Sequence, residues 1–371
     1  MLTRIYANNF RCLIAFEIKF DSFCVLCGAN GSGKTSIFDV VSMLRDLAMG
    51  EAQLGGEGPR DIKDLELTNW LDSTIQEFEI DLLVSGHEFR YVVHIEQITQ
   101  EHKPRIVHEQ ASCDERVLYT RDLEGVWFTK DDGTKTGFPL DWRQAALGSI
   151  QPAGNRREIE LLQQALTSLV VIRPSPRSME AESKAESSTP SVQMENLLSW
   201  YRHLYKDQEW GDALRESLQN IWPDFRSFKL VDVGLSTKAL ALKFDTPTKK
   251  GDGSLLFHQL SDGERALIGL YMIRAALDTG AVETVLIDEP DNYVGLPELQ
   301  PWVLAIRELL DDEHQAILIS HHPEVLGNGD EENGRYLWRD NHSSPTRSSP
   351  LKVPTGLTPA EAIARGWVNG Q

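Results

Sequence analysis

Along this chain the spacing of apolar residues shifts between an alternating and a helical period, and the shifts mark its organisation. Leu2-Thr3-Arg4-Ile5-Tyr6 reads as a strand. So does Ile14-Ala15-Phe16-Glu17-Ile18-Lys19-Phe20, whose apolar and charged side chains take turns as a sheet with one buried face requires. Phe78 to Leu83 and Phe89 to Ile95 alternate on either side of Ser85-Gly86-His87, which predicts a hairpin. Val117-Leu118-Tyr119 and Val126-Trp127-Phe128 extend the series, with a turn expected at Lys130-Asp131-Asp132-Gly133. The sum is a lobe rich in antiparallel sheet. It is interrupted by an apolar run, Phe23 to Cys27, that leads through glycines into helical spacing at Ile37, Val40, Val41, Leu44 and Leu47, stopped by Gly50. The polar, glycine-rich stretch from Gly50 to Asp64 reads as a mobile surface loop.

Helical spacing takes over near residue 155. Ile159, Leu162, Ala165, Leu166 and Leu169 share one face of a helix expected from Glu158 to Leu169. The pattern resumes at Met194, Leu197, Leu198, Tyr201 and Leu204, and again at Leu214, Leu218 and Ile221 before Pro223. Between these stretches, Ser175 to Ser191 is rich in Ser, Glu and Pro with almost no large apolar residues, and is expected to be a flexible link. Strands return from Phe228, with Leu240 to Phe244 among them and a turn at Lys249-Lys250-Gly251-Asp252-Gly253. No run of heptads and no fixed-period repeat is present. The pattern predicts an α/β protein with an N-terminal lobe at 1–140, an inserted helical lobe at 141–225 containing the link 175–191, and a C-terminal lobe at 226–371.

Composition narrows the function classes. A hydrophobic content of 41% and a charged content of 25% over 371 residues are ordinary for a globular chain with a sizeable core. Lys and Arg number 37 against 56 for Asp and Glu, a net charge of −19. That balance argues against a whole surface gripping nucleic acid, which rests on neutralising phosphates, and leaves room only for a local basic groove. The N-terminus shows no signal-peptide pattern, and no apolar run approaches the roughly 20 residues that span a bilayer. A cytoplasmic protein is expected. Cys24 and Cys27 have C-x-x-C spacing, but both fall in the apolar run, with no second Cys or His pair at zinc-site spacing nearby. They read as core thiols alongside Cys12 and Cys113.

Gly28-Ala29-Asn30-Gly31-Ser32-Gly33-Lys34-Thr35 matches G-x-x-x-x-G-K-[ST] at every position, between a predicted strand and a predicted helix, the setting of a phosphate-binding loop. Phosphate oxygens must approach the backbone closely, which a Cβ obstructs, and the amides of the turn and helix start then point at negative charge. Asn30, Gly31, Ser32, Gly33, Lys34, Thr35 and Ser36 form the candidate nucleotide site. Lys34 is placed to reach the β- and γ-phosphates, and the Thr35 hydroxyl to ligate Mg²⁺.

A second half is expected from Leu260-Ser261-Asp262-Gly263-Glu264-Arg265, which precedes an apolar helical pattern. Alone this is also an ordinary helix N-cap turn. Its weight comes from Thr284-Val285-Leu286-Ile287-Asp288-Glu289, a short apolar strand that delivers carboxylates at its C-terminal end. Asp288 is expected to hold Mg²⁺ through water, and Glu289 to polarise the attacking water. A further strand, Ala316-Ile317-Leu318-Ile319, ends in Ser320-His321-His322. A histidine there can hydrogen-bond a γ-phosphate or belong to a surface pair; position relative to the acids puts His321 ahead of His322.

Taken in order, G-A-N-G-S-G-K-T, L-S-D-G-E-R, V-L-I-D-E-P and I-S-H-H-P resemble the ATP-binding-cassette ATPases. The resemblance is closer to the SMC/RecF/OLD-like branch, and within it to stand-alone AAA_21 ATPases. Asn9-Phe10-Arg11 is similar to that branch's N-F-R element, and Leu357-Thr358-Pro359-Ala360-Glu361 to Gly366-Trp367 to the group's closing segment. The resemblance implies ATP and Mg²⁺ as ligands and a head-to-tail homodimer, in which Ser261, Gly263 and Glu264 of one subunit close over ATP on the other, with Asp291-Asn292-Tyr293-Val294 touching the partner. It also implies a metal-facing glutamine, for which Gln76, Gln97 and Gln151 all qualify by order. Asp291 to Leu296 departs from the usual E-N-G-L-H-P run, and the short tail after His321 is not expected to carry a nuclease domain.

The leading expectation is therefore a Mg²⁺-dependent ATPase whose cycle controls a DNA transaction or a separately encoded effector, with anti-phage defence as a setting by analogy. The alternatives are a nucleotide-gated scaffold with little turnover, and a RecF-like DNA-binding repair protein using Arg156, Arg157, Arg173 and Arg177.

Overall fold

The computed structural model describes residues 1–50, 52–58, 61–63, 65–97, 104–129, 133–151, 157–246, 253–322, 325, 333–354, 356–365 and 367. Arg156 and most of the turns expected at 130–133 and 249–253 lie outside the described residues. Contacts divide the chain into two units. Unit 1 comprises Met1–Asp21, Leu26–Leu169 and Arg335–Leu351; unit 2 comprises Ser22–Val25, Val170–Gly334 and Lys352–Gln371.

The first part of the chain forms β1 (Leu2–Asn8), β2 (Phe16–Lys19), β3 (Phe23–Gly28) and α1 (Lys34–Ala48). There follow β4 (Ile75–Val84), β5 (His87–Glu96), β6 (Arg105–Cys113), β7 (Arg116–Arg121), β8 (Val126–Thr129) and β9 (Lys135–Phe138), then α2 (Ala146–Ser149) and α3 (Arg157–Thr167). An antiparallel sheet in the order β2-β1-β4-β5-β6-β7-β8-β9 dominates unit 1. Its register sets buried residues opposite one another, Phe78 with Val93, Ile80 with Tyr91 and Leu82 with Phe89, so alternation in the sequence becomes one apolar face. α1 and α3 pack against each other and against β4.

Asn9-Phe10-Arg11 is a staple in this unit. Asn9 takes a left-handed φ of 60°. Its buried side chain donates to the carbonyls of Ser73 (2.8 Å) and Ile75 (2.9 Å) and accepts from the Thr68 amide. Arg11 reaches Asp39 on α1.

The loop after α1, expected to be mobile from Gly50 to Asp64, is tied instead at its described residues. Leu54 is fully buried and bridges Ile62, while Asp61 accepts from the amides of Gln53 (2.9 Å) and Gly58 (2.6 Å). One carboxylate satisfies the backbone that the glycines leave open.

Unit 2 begins with β10 (Val170–Ile172), β11 (Glu182–Ser183), α4 (Leu197–Leu204), α5 (Gln208–Ile221), β12 (Phe225–Asp232), β13 (Lys238–Phe244) and β14 (Ser254–Leu256). It continues with α6 (Asp262–Asp278), β15 (Thr284–Asp288), α7 (Leu296–Glu308) and β16 (Gln315–Ile319). β17 (Gly334–Trp338) and β18 (Arg347–Pro350) return to unit 1, and α8 (Pro359–Ala364) is the last described element.

β10, β15 and β16 are parallel, with Val171 opposite Leu286 and Leu286 opposite Ile317, and β16 neighbours β3. The helix expected to run to Leu169 ends at Thr167, and β10 follows at once. Val170-Val171-Ile172 is β-branched throughout, which favours the strand once a sheet edge is available. α6 is buried along most of its length. Trp210 on α5 and Trp302 on α7 donate to its Met272 and Leu270 carbonyls, at 3.4 and 2.9 Å.

The link expected to be flexible at 175–191 is instead held by hydrogen bonds. Ser175 N–H donates to Gln193, Glu180 N–H to Glu195 and Ser187 N–H to Ser199. Asn196 Nδ2 donates to Ser187 Oγ (3.1 Å) and the Thr189 carbonyl (3.0 Å). Its Ser side chains and the nearby Asn196 bond the local backbone, a use of polar residues that composition cannot tell from disorder.

Candidate nucleotide site

The glycine loop joins β3 to α1. Gly28, Gly31 and Gly33 hold φ of 142°, 76° and 98°, values that an L side chain rarely adopts. A Cβ on Gly28 would collide with the Leu337 carbonyl oxygen and one on Gly33 with Thr346 Oγ1, whereas nothing lies within 4 Å of the position at Gly31. The loop tip is thus open backbone, with Asn30 exposed beside it and Ser36 buried behind. Lys34 Nζ folds over the loop and donates to the carbonyls of Gly28 (2.8 Å) and Ala29 (3.1 Å), with Ser32 Oγ at 3.5 Å. α1 has neither a side-chain cap at Gly33 nor an acidic residue in its first turn, the helix start an anion needs. Cys27, just before the loop, is buried, and burial pushes its thiol up to about 12. All four cysteines are buried thiols outside any disulfide, as the sequence leads one to expect.

No motif announces the residues that brace this loop. Thr346 Oγ1 donates to the Ser32 carbonyl (2.9 Å) and Thr346 N–H to the Cys12 carbonyl (2.9 Å). Arg339 Nη1 donates to the Gly31 carbonyl (3.1 Å) while its guanidinium lies over the Trp70 ring.

In unit 2, β15 carries Asp288 to its end, in register with Ile319 on β16. Asp288 is buried, and its Oδ2 accepts from Arg173 Nε at 2.9 Å and Nη2 at 2.8 Å. Glu289 turns the chain with a left-handed φ of 55°, a strain of about 1–3 kcal/mol of the kind found at functional turns. Its N–H donates to the Ile319 carbonyl (2.8 Å), and Asn292 Nδ2 holds Glu289 Oε2 at 2.6 Å. Ser320 Oγ donates to Asp291 Oδ1 (2.7 Å) and accepts the His322 N–H (2.9 Å). The C-terminal ends of β15 and β16 thereby gather Asp288, Glu289 and Ser320, with His321 exposed next in the chain.

Ser261 caps α6. Its Oγ accepts from Glu264 N–H (3.3 Å), and Glu264 Oε2 accepts from both the Ser261 N–H and its hydroxyl, each at 2.7 Å, a complete capping box. A Cβ on Gly263 would lie 2.9 Å from the Tyr293 carbonyl oxygen, so glycine lets this turn approach the one after β15. Arg177 pairs with Asp262 at 3.1 Å.

Of the candidate glutamines, Gln76 is buried, its Nε2 donating to the Asn9 carbonyl (2.9 Å), and Gln97 donates to Gln76 Oε1 (3.1 Å). Gln151 is exposed.

A family model described as "AAA domain, putative AbiEii toxin, Type IV TA system" matches residues 23–327, a span that contains the glycine loop, the Ser261 turn, the β15 acids and His321. The chain belongs to the AAA_21 ATPase family. Membership implies nucleotide binding and suggests ATPase activity.

Curated proteins provide no match to this AAA_21 chain. Solved structures share its fold. An SMC head bound to the C-terminal winged-helix domain of ScpA matches at a TM-score of 0.57 and 15% identity, covering 94% of this chain and 98% of that one. An SMC head with an extended coiled coil, bound to the C-terminal domain of ScpA derived from Pyrococcus furiosus, matches at 0.55 and 12% identity, covering 98% of each chain. The AAA_21 chain therefore has the α/β SMC-head-like P-loop fold, with its mixed parallel sheet and antiparallel lobe. Among the described residues no helix is long and apolar enough to cross a membrane.

Proposed function

We propose that this AAA_21 chain hydrolyses ATP with Mg²⁺ as a head-to-tail homodimer, and that the cycle controls a separately encoded effector or a DNA transaction. The observation that carries the reading is Glu289, set by a strained turn directly after the buried Asp288 and oriented by Asn292. An amide donor aims a carboxylate without neutralising it, which suits a group that must take a proton from water.

Each side chain has a part. Lys34 leaves the Gly28 and Ala29 carbonyls to bind the β- and γ-phosphates, and the open amides around Gly31 receive phosphate oxygens. Glu289 orients the attacking water and accepts its proton, while His321 hydrogen-bonds the γ-phosphate. The Ser261 hydroxyl of the partner subunit closes the site. Thr35 offers a hydroxyl and Asp288 a carboxylate, each a hard oxygen donor of the kind Mg²⁺ takes; when bound, the cation would neutralise charge on the phosphates.

The toxin–antitoxin wording of the family description supports a defence setting, and the ScpA domains on the two SMC heads support a protein partner. The RecF-like alternative loses ground because Arg173 and Arg177 are engaged by Asp288 and Asp262. The scaffold reading keeps one observation. The Ser261 hydroxyl is committed to Glu264 and must be re-aimed before it can meet phosphate.

Turnover of the wild type with Mg²⁺ and ATP, compared with Glu289→Gln, decides between them. The variant is expected to lose at least about 100-fold in turnover, the low end for a general base, while still binding ATP. Equal turnover in the two proteins would remove Glu289 from the chemistry.

A further inference from the structure

We propose that Arg173 occupies the cation position at Asp288 when no metal is bound, and that Mg²⁺ has to displace it. The inference rests on the ATPase reading above and deepens it. Asp288 is the last residue of β15, its side chain only 4% exposed. A carboxylate so placed is costly without a positive partner. Arg173 supplies such a partner, with Nε at 2.9 Å and Nη2 at 2.8 Å from the one oxygen Oδ2, both charge-assisted contacts.

Arg173 is built for exchange. Its backbone is pinned, since its N–H donates to the Val192 carbonyl at 2.6 Å and that of Ser175 to Gln193 at 3.2 Å. Further along the same segment, Arg265 Nη1 donates to the Pro176 carbonyl (3.5 Å) and Arg177 pairs with Asp262 (3.1 Å). The segment can therefore stay in place while the side chain moves. That side chain is 43% exposed, so withdrawal carries the guanidinium into water rather than through the core.

Competition follows from charge and distance. Mg²⁺ holds oxygen ligands at about 2.0–2.1 Å, and directly or through a bound water it places its charge beside the carboxylate. A guanidinium still on that carboxylate would sit next to a like charge. The opposite role, a permanent partner that holds Asp288 ready for the metal, predicts an effect of opposite sign.

The test measures binding rather than turnover. A fluorescent ATP analogue is titrated onto the full chain while free Mg²⁺ is raised from an EDTA buffer, for wild type, Arg173→Ala and Arg173→Lys. The quantity read is the Mg²⁺ midpoint of the gain in analogue affinity. Removing the competitor lowers that midpoint in Arg173→Ala by about tenfold, the worth of one charge-assisted hydrogen bond. Arg173→Lys keeps the charge but loses the fork, and falls between the two. Affinity in EDTA stays the same in all three.

A midpoint that is unmoved or raised in Arg173→Ala overturns the proposal, as does a wild type whose analogue affinity ignores Mg²⁺. If thermal melting shows that Arg173→Ala does not fold, Arg173→Lys carries the same test: a lower midpoint supports displacement and an equal or higher one overturns it. A wild type that binds no analogue at all would instead sink the ATPase reading on which the inference stands.

Discussion

Lys34→Ala is expected to remove most of the thermal stabilisation that ATP gives this protein while leaving the fold in place. In the nucleotide-free chain, the Lys34 ammonium contacts the Gly28 and Ala29 carbonyls at 2.8 and 3.1 Å. The loop's own shape depends more on glycine conformations and on the braces from Thr346 and Arg339. Truncation is therefore expected to leave the shape of the loop in place. With ATP present the balance differs, because the same ammonium faces phosphate charge inside a buried site. Losing one partner of such a pair costs about 2–5 kcal/mol, or at least about 30-fold in affinity.

A ligand at a hundred times its dissociation constant stabilises the folded state by about 2.7 kcal/mol. Wild-type melting is thus expected to shift upward with Mg²⁺ and ATP, and Lys34→Ala, at least about 30-fold weaker, to keep no more than about a third of that stabilisation. An equal upward shift in both would remove Lys34 from the site.

Glu109→Ala has the largest expected effect on stability. Glu109 is fully buried in unit 1 on β6. Its Oε1 accepts from the hydroxyls of Tyr119 (2.7 Å) and Tyr91 (3.1 Å) and the Leu147 amide (2.9 Å), and its Oε2 from the Ala146 amide (2.7 Å). Arg121 Nη1 lies 3.9 Å away, also buried. One carboxylate thus balances a buried cation, satisfies both phenols and supplies acceptors at the start of α2.

Alanine takes the acceptor from both phenols and both amides and the counter-charge from Arg121, a loss of about 3–5 kcal/mol. Glu109→Gln keeps the volume and one acceptor oxygen but turns an NH₂ toward the donors, and costs less. Urea unfolding midpoints of wild type, Glu109→Gln and Glu109→Ala should fall in that order. An alanine variant as stable as wild type would contradict the network.

The same cluster sets an alkaline limit. Burial, followed by the charge on Glu109, raises the Tyr91 and Tyr119 phenols well above their ordinary value. The unfolded chain releases these protons near pH 10 and the folded one does not. Their contribution is complete below that pH and is lost as pH rises above it.

The letters of the chain reveal the parts of the site that are contiguous. Gly28 to Thr35, Ser261 to Glu264, and Asp288 with Glu289 each place chemistry at a strand or helix end that a single run of residues announces. Partnerships across sequence distance are not announced. Arg173 lies 115 positions from Asp288, and Thr346 lies 314 from Ser32; no local period carries such pairs. Short strands such as β10 were hidden because an apolar run next to a helix looks like more helix. The mobility expected of Gly50 to Asp64 and of 175–191 is not met at their described residues, because Asp61, Ser187 and, beyond the second segment, Asn196 spend their polarity on nearby backbone rather than on water.

The measurement closest to the central claim is the solution mass of the Glu289→Gln protein by light scattering, with and without Mg²⁺ and ATP. Head-to-tail closure predicts a monomer that becomes a dimer when both are present and reverts when Mg²⁺ is chelated. A mass that ATP does not change, in a protein that still binds ATP, would contradict the dimeric ATPase and leave the scaffold reading in its place.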